Sequence, residues 1–206
     1  MERATRLPWN GEKANLNRDY IPPHGKIFVI AGKAAVGKDT LAADVSRELG
    51  IKKNINYTTR PPRDGELGGL DYHFIEFEEF KDENFIAVQQ FNSVMGKIKY
   101  GIKKSDIPSI QNCIIIATPS GFRELKEHFG DRVVGIYVMG PQVERWARYL
   151  KRGKNDQDAQ AEAQRRFYSD NFDFHDFEFE VDHILLNKGE YLDTLCRLMG
   201  IISSYE

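Results

Sequence analysis

The chain has 206 residues, enough for one well-cored domain, and its 41 % hydrophobic and 29 % charged residues are an ordinary globular balance. Its 29 Lys and Arg against 31 Asp and Glu leave a formal net charge of −2, which argues against broad capture of nucleic acid or of an anionic membrane. No run approaches the length of a membrane span, and the widely spaced Cys113 and Cys196 read as core residues in a reducing cytoplasm. Any anion must then be held by local clusters of Arg and Lys. Residues 1–25 read as a polar N-terminal extension without a signal-peptide stretch, with Leu7 and Trp9 as its candidate anchors.

The first predicted strand, Lys26–Ala31, is apolar from Ile27 onward, and Lys38–Leu49 has a helical pattern. Between them lies Gly32-Lys33-Ala34-Ala35-Val36-Gly37-Lys38. Strand, glycine-bounded loop, lysine and helix make the P-loop arrangement. Gly32 and Gly37 permit a tight turn that presents N–H groups inward. The helix start adds unpaired N–H groups and a positive dipole end, both suited to phosphate. Lys38 brings a full charge to β- and γ-phosphates, so Gly32 to Thr40 is the candidate nucleotide site. The position after Lys38 is Asp39 where a hydroxyl is usual, and Thr40 follows. Either Asp39 ligates Mg²⁺, directly or through water, while Thr40 takes a phosphate oxygen, or Asp39 only complements the positive helix end. The run Gly37-Lys38-Asp39-Thr40 resembles the P-loop of phage-type deoxynucleoside monophosphate kinases, and its Gly-Lys-x-Thr order is similar to that of adenylate kinases.

From Thr58 to Lys104 the composition shifts toward Arg, Gly, Asp and aromatics, with short predicted strands at His73–Phe77, Phe85–Phe91 and Lys97–Gly101. This stretch reads as an inserted, mostly β subdomain. The alternation then resumes with strand Cys113–Thr118, helix Gly121–Phe129, strand Arg132–Val138 and helix Gln142–Lys151. The polar run Arg152-Gly153-Lys154-Asn155-Asp156-Gln157-Asp158 reads as the tip of a mobile lid. Phe172, Phe174, Phe177 and Phe179 read as packing into the core, and strand His183–Leu186 and helix Glu190–Met199 close the pattern. Apolar strands separated by helices imply a parallel sheet covered on both faces, a three-layer α/β/α P-loop NTPase fold with phosphate at the carboxyl ends of the strands.

Tyr57-Thr58-Thr59-Arg60-Pro61-Pro62-Arg63-Asp64-Gly65-Glu66 sets two arginines three residues apart and stiffens them with two prolines, so both forks can meet one anion. Gly69-Leu70-Asp71-Tyr72-His73-Phe74 follows. With Tyr100-Gly101, Arg148-Tyr149-Leu150-Lys151-Arg152-Gly153, Arg165-Arg166 and Ile184-Leu185-Leu186-Asn187, these stretches closely resemble the guanylate kinase family from about Lys26 to the C-terminus. The resemblance implies a core (26–57, 105–144 and 167–206), a nucleoside-monophosphate-binding subdomain (58–104) and a helical lid (145–166). It implies that Arg60, Arg63, Tyr72 and Tyr100 hold the acceptor's phosphate. Lys38, Arg148, Arg152, Arg165 and Arg166 would surround the transferring phosphoryl group, and Asn187 would lie by the ATP adenine. The expected activity is ATP- and Mg²⁺-dependent phosphorylation of GMP or dGMP by a cytoplasmic monomer or homodimer that acts on small nucleotides, with no nucleic-acid or membrane partner. Such a reaction asks for positioning and charge, not for a covalent nucleophile.

Three positions depart from the family. Its guanine-reading carboxylates and hydroxyl fall here on Ala87, Thr118 and Ile102. Guanine offers donors along its N1–H and N2–H₂ edge, which acceptors suit. Gln89 or Gln90, together with Thr118, could read a base edge instead. The strand Cys113–Ala117 also carries no acidic residue, so metal positioning rests on Asp39, Thr40, the nucleotide and water. These losses leave alternatives open: another (d)NMP or a ribose phosphate as acceptor, or a non-catalytic module that grips a phosphorylated peptide.

Overall fold

A strand that is apolar at every position needs cover on both faces of its sheet. β1 (Ile27–Ala31) is such a strand, and all five of its residues are buried. In the computed structural model, which describes residues 24–62, 65–93, 96–152 and 167–205 (of 92–93 and 149–152 the backbone alone), β1 lies at the centre of a five-stranded sheet. The order is β2 (Lys52–Lys53), β7 (Cys113–Ile116), β1, β8 (Val133–Met139), β9 (His183–Leu186), and every pairing is parallel.

Alternate side chains of β1 enter two separate cores. Ile27, Val29 and Ala31 pack with Phe122 and Leu125 of α2 (Pro119–Phe129) and with Tyr137, Phe174 and Phe177. Phe28 and Ile30 pack with Leu41 and Val45 of α1 (Lys38–Leu49) and Leu195 and Leu198 of α5 (Tyr191–Ser203). The result is the expected α/β/α arrangement. Between these helices in sequence come α3 (Gln142–Arg152) and α4 (167–173). Among the described residues no helix is long and apolar enough to cross a membrane.

A second sheet has the order β4 (His73–Phe74), β3 (Tyr57–Thr58), β6 (Gly96–Lys103), β5 (Phe85–Ser93). β3 and β5 both run antiparallel to β6, and β4 runs parallel to β3. The β5–β6 register shifts between Ile86 and Gln89, where Ala87 takes a left-handed φ of 56°. This bulge sets Gln89 opposite Tyr100. The two sheets are joined where α2 meets β5: a Cβ on Gly121 would lie 3.1 Å from the Cβ of Ala87.

Several expectations change. The predicted strand His73–Phe77 ends at Phe74, because Phe77–Glu79 forms a short 3₁₀ turn closed by a capping box between Glu76 and Glu79. The strand from Cys113 ends at Ile116, because Thr118 accepts from the Gly121 N–H and caps α2 with Pro119 in its first turn. Cys113 is buried, which pushes its thiol up to about 11 against the opposing pull of Arg132 and Lys52. Cys196, expected in the core, is exposed, since α5 buries Thr194, Leu195, Leu198 and Ile202 on the opposite stripe. Phe174 and Phe177 enter the core as expected, but Phe172 and Phe179 are 84 % and 83 % exposed. The segment is a helix end and a 3₁₀ turn, so residues three apart, such as Phe174 and Phe177, share a side and the other two rings do not. The expected anchors Leu7 and Trp9 and the lid tip at 153–158 lie outside the described residues.

Gly135 on β8 is held to glycine by packing. A Cβ there would sit 2.7 Å and 2.9 Å from two ring carbons of Phe122, and that ring is already fixed edge-on to Phe177 at 5.5 Å. Gly135→Val is expected to lower the unfolding free energy by about 1–3 kcal/mol in a urea titration, without a change in slope.

Candidate active site

The loop that leaves β1 is shaped by what surrounds it. A side chain at Gly32 would place its Cβ 2.7 Å from the Val138 carbonyl oxygen. Ala35 (φ 61°) and Gly37 (φ 95°) turn through left-handed conformations, and Gly37 then caps α1 without offering a side-chain acceptor to the first N–H groups of the helix. The outward carbonyls are taken by three side chains, two from α3 and one just after β9. Arg145 Nε donates to Ala34 at 2.9 Å. Arg148 Nη1 donates to Ala35 and Val36 at 3.2 and 3.3 Å. Asn187 Nδ2 donates to Val36 at 2.7 Å. The Ala34 N–H points outward too, to Asp170 Oδ2 at 2.6 Å, and the same oxygen meets Arg145 Nη2 at 3.0 Å. Both backbone groups of Ala34, its N–H and its carbonyl, are thus held by one nearly buried ion pair. Lys33 Nζ reaches Asn171 at 3.2 Å, and Lys38 Nζ lies 3.3 Å from Asp39 Oδ2. Below the loop, burial and then Glu178 push the Tyr137 phenol up to about 12, partly countered by Arg145, so it stays neutral.

The second candidate cradle is on the other sheet. Arg60 leaves the end of β3 and is only 7 % exposed. Its Nε donates to the Tyr100 hydroxyl at 3.0 Å, and Nη1 and Nη2 donate to the two carboxylate oxygens of Glu66, each at 2.7 Å. The guanidinium lies over the rings of Tyr72 and Phe74, 5.1 and 5.6 Å from their centroids. Burial lowers its pKa, but Glu66 and Tyr100 more than offset that and raise it above the ordinary value. Arg60, Tyr72 and Tyr100, singled out from sequence, are therefore brought together.

Beside them runs a cleft of about 460 Å³ lined by Gln89, Gln90, Phe91, Thr118, Pro119, Ser120, Arg123, Phe172 and Asp173. Gln89 Nε2 donates to the Thr118 hydroxyl and, at 2.8 Å, to that of Ser120. Gln89 and Thr118 thus meet as the sequence suggests, and the bulge at Ala87 makes it possible. Ala87 and Ile102 belong to the core, 8 % and 1 % exposed, and cannot face a ligand edge.

The other candidates divide. Asn187, set by resemblance at an adenine, is 8 % exposed, and both of its nitrogens bond backbone carbonyls, Val36 and Met139. It braces the loop. Arg148 likewise touches the loop from α3. Arg152 ends α3, where only its backbone is described; Arg63, Arg165 and Arg166 lie outside the described residues. Asp39 and Thr40 are exposed on the first turn of α1. Among the described residues no three His, Cys, Asp or Glu are grouped to hold a metal. One carboxylate and one hydroxyl still suit a Mg²⁺ that keeps waters and phosphate oxygens as its main ligands. Sequence reading missed Arg145, Asp170, Glu66 and Ser120. Of these only Glu66 carried a local signal, six residues after Arg60 in the same Pro- and Gly-framed segment.

A phosphate-type loop after the central strand of a parallel sheet, with a second sheet carrying a buried arginine among phenols, defines a P-loop phosphotransferase. The sequence pattern of the guanylate kinase family matches residues 24–202, and the chain belongs to that family. Guanylate kinase of Chlamydia muridarum is 32 % identical over 66 % of this chain and 68 % of its own. That of Neisseria gonorrhoeae is 30 % identical over 84 % of this chain and 89 % of its own. In fold the chain is similar to the crystal structure of guanylate kinase from Anaplasma phagocytophilum, with a TM-score of 0.63 at 22 % identity, covering 89 % of this chain and 87 % of that one.

Removing one partner of a buried ion pair leaves the other charge stranded. Arg145→Ala is expected to cost about 3 kcal/mol of stability in chemical denaturation and to weaken ATP binding in calorimetry. Arg145→Ala combined with Asp170→Asn should recover part of the stability but not the ATP affinity.

Proposed function

We propose that this protein transfers the γ-phosphoryl group of ATP to GMP or dGMP. The observation that carries this reading is the presence in one chain of two anion cradles, the loop Gly32–Thr40 and the Arg60–Tyr72–Tyr100 cluster, in a family whose relatives bear the name guanylate kinase.

The inward loop amides and Lys38 hold the β- and γ-phosphates of ATP. Arg60, Tyr72 and Tyr100, with Arg63, hold the phosphate of the acceptor. Gln89 and Thr118 meet the edge of its base, in place of the buried Ala87 and Ile102. An acceptor phosphate oxygen forms the new bond to the γ-phosphorus as the bond from that phosphorus to the β–γ bridging oxygen breaks, so no covalent enzyme intermediate is needed. Arg148 on α3, with Arg152, Arg165 and Arg166, offsets the charge on the transferring group, and closure of this region excludes the water that would otherwise accept it. Mg²⁺ bound with ATP supplies further charge neutralisation, and Asp39 and Thr40 are the residues that would hold it. The working form is a cytoplasmic monomer or homodimer acting on small nucleotides.

A coupled assay of ADP formation tests the reading. ADP production that depends on GMP or dGMP is expected, and production no faster than with ATP alone would end it. Lys38→Ala is expected to lower kcat by about 10²–10³-fold or more. Arg60→Ala should act mainly on the acceptor, raising KM for GMP by about 10–100-fold while KM for ATP stays near its wild-type value. Equal effects of both variants on both substrates would contradict the assignment.

A further inference from the structure

A guanidinium has two edges at which a pair of parallel N–H groups can grip an anion, one formed by Nη1 and Nη2 and the other by Nε and Nη2. In Arg60 the first edge is taken by Glu66 with two bonds of 2.7 Å. The remaining Nη1 proton goes to the Pro61 carbonyl at 2.9 Å. The rings of Tyr72 and Phe74 pack against the guanidinium. On the second edge, Nε donates to the Tyr100 hydroxyl at 3.0 Å. That oxygen is then an acceptor toward Arg60, and its own proton is available to a further acceptor. The outer Nη2 proton lies on the same edge. Two donors therefore stand side by side, directed away from the carboxylate.

We propose that Glu66 is a positioning residue for the acceptor's phosphate. It locks the Arg60 fork by its far edge, so that the outer Nη2 proton and the Tyr100 hydroxyl face the phosphate together. The inference rests on the reading of Arg60 as the acceptor-phosphate residue. The opposite role, a carboxylate sitting in the phosphate's place and competing with it, would require Glu66 on the edge shared with Tyr100. It is on the other one.

The two roles predict opposite signs. Glu66→Gln keeps the size of the side chain and removes its charge and one of its two acceptors. It is expected to raise both KM and the calorimetric Kd for GMP by about 10–100-fold, with kcat and KM for ATP within about threefold of wild type. Glu66→Asp, which keeps the charge but is one methylene shorter, should show a smaller rise of the same kind. An unchanged or tightened Kd for GMP in Glu66→Gln would overturn the proposal. So would a fall in melting temperature with an unmoved KM for GMP in either variant, which would make Glu66 a structural prop. If Glu66→Gln does not fold, wild-type affinity for GMP in Glu66→Asp overturns it equally. Failure of the wild-type protein itself to bind GMP would remove the acceptor reading along with this one, whereas wild-type turnover with an insensitive Glu66 removes this inference alone.

Discussion

A loop that aims its N–H groups at one point must turn its carbonyls the other way, and those carbonyls need donors. Here three successive carbonyls, at Ala34, Ala35 and Val36, meet Arg145, Arg148 and Asn187. A buried carbonyl without a partner costs about 1–3 kcal/mol, so a loop of this shape would be costly without its three braces. The rest of the architecture follows from supplying them. β8 ends beside the loop, where Met139 fixes the Asn187 backbone, and β9 next to β8 delivers Asn187. α3 brings both arginines, three residues and so nearly one turn apart, on a single side. α4 brings Asp170 to the remaining N–H. α3 and α4 thus both contact the phosphate loop.

The same logic governs the second cradle with different materials. The loop is a backbone device held by side chains, whereas Arg60 is a side-chain device held by a carboxylate, a phenol and two aromatic rings. Each limits the freedom of the charged group in advance, and pre-oriented charge is what phosphoryl transfer asks of a protein. Neither cradle is rigid by itself. The long guanidinium arm would otherwise sample many rotamers, and its ordering entropy would fall on the binding step.

Much of this was legible in the chain. α1 and β9 fall on the residues that periodicity assigns, and the central strands begin within a residue of expectation, because long apolar runs between glycine and polar breaks leave few alternatives. Arg60, Tyr72 and Tyr100 were readable as a group through the resemblance to the guanylate kinase family, whereas the prolines by themselves pointed only to the pair Arg60 and Arg63. What escaped was long-range. Arg145 and Asp170 are 25 residues apart and lie on separate helices, and nothing local distinguishes them from a solvated charged face. Asn187 was placed near an adenine by resemblance, and its bond to the Val36 carbonyl is invisible to side-chain patterns. The bulge at Ala87 had no signal, since Ala is not a residue expected at positive φ. It decides that Gln89, and neither Ala87 nor Ile102, meets the cleft. Phe172 and Phe179 misled for the opposite reason: four closely spaced phenylalanines suggest a common core, but the helix end and turn point two of them outward.

The central claim is that two cradles serve a single transfer. A crystal structure with a bisubstrate compound, adenosine and guanosine joined through five phosphates, tests it most directly. The phosphate chain should enter the Gly32–Thr40 loop at its adenosine end and contact Arg60 and Tyr100 at its guanosine end, with guanine in the cleft beside Gln89. A compound bound through one cradle only, with its other end in solvent or elsewhere on the surface, would contradict it.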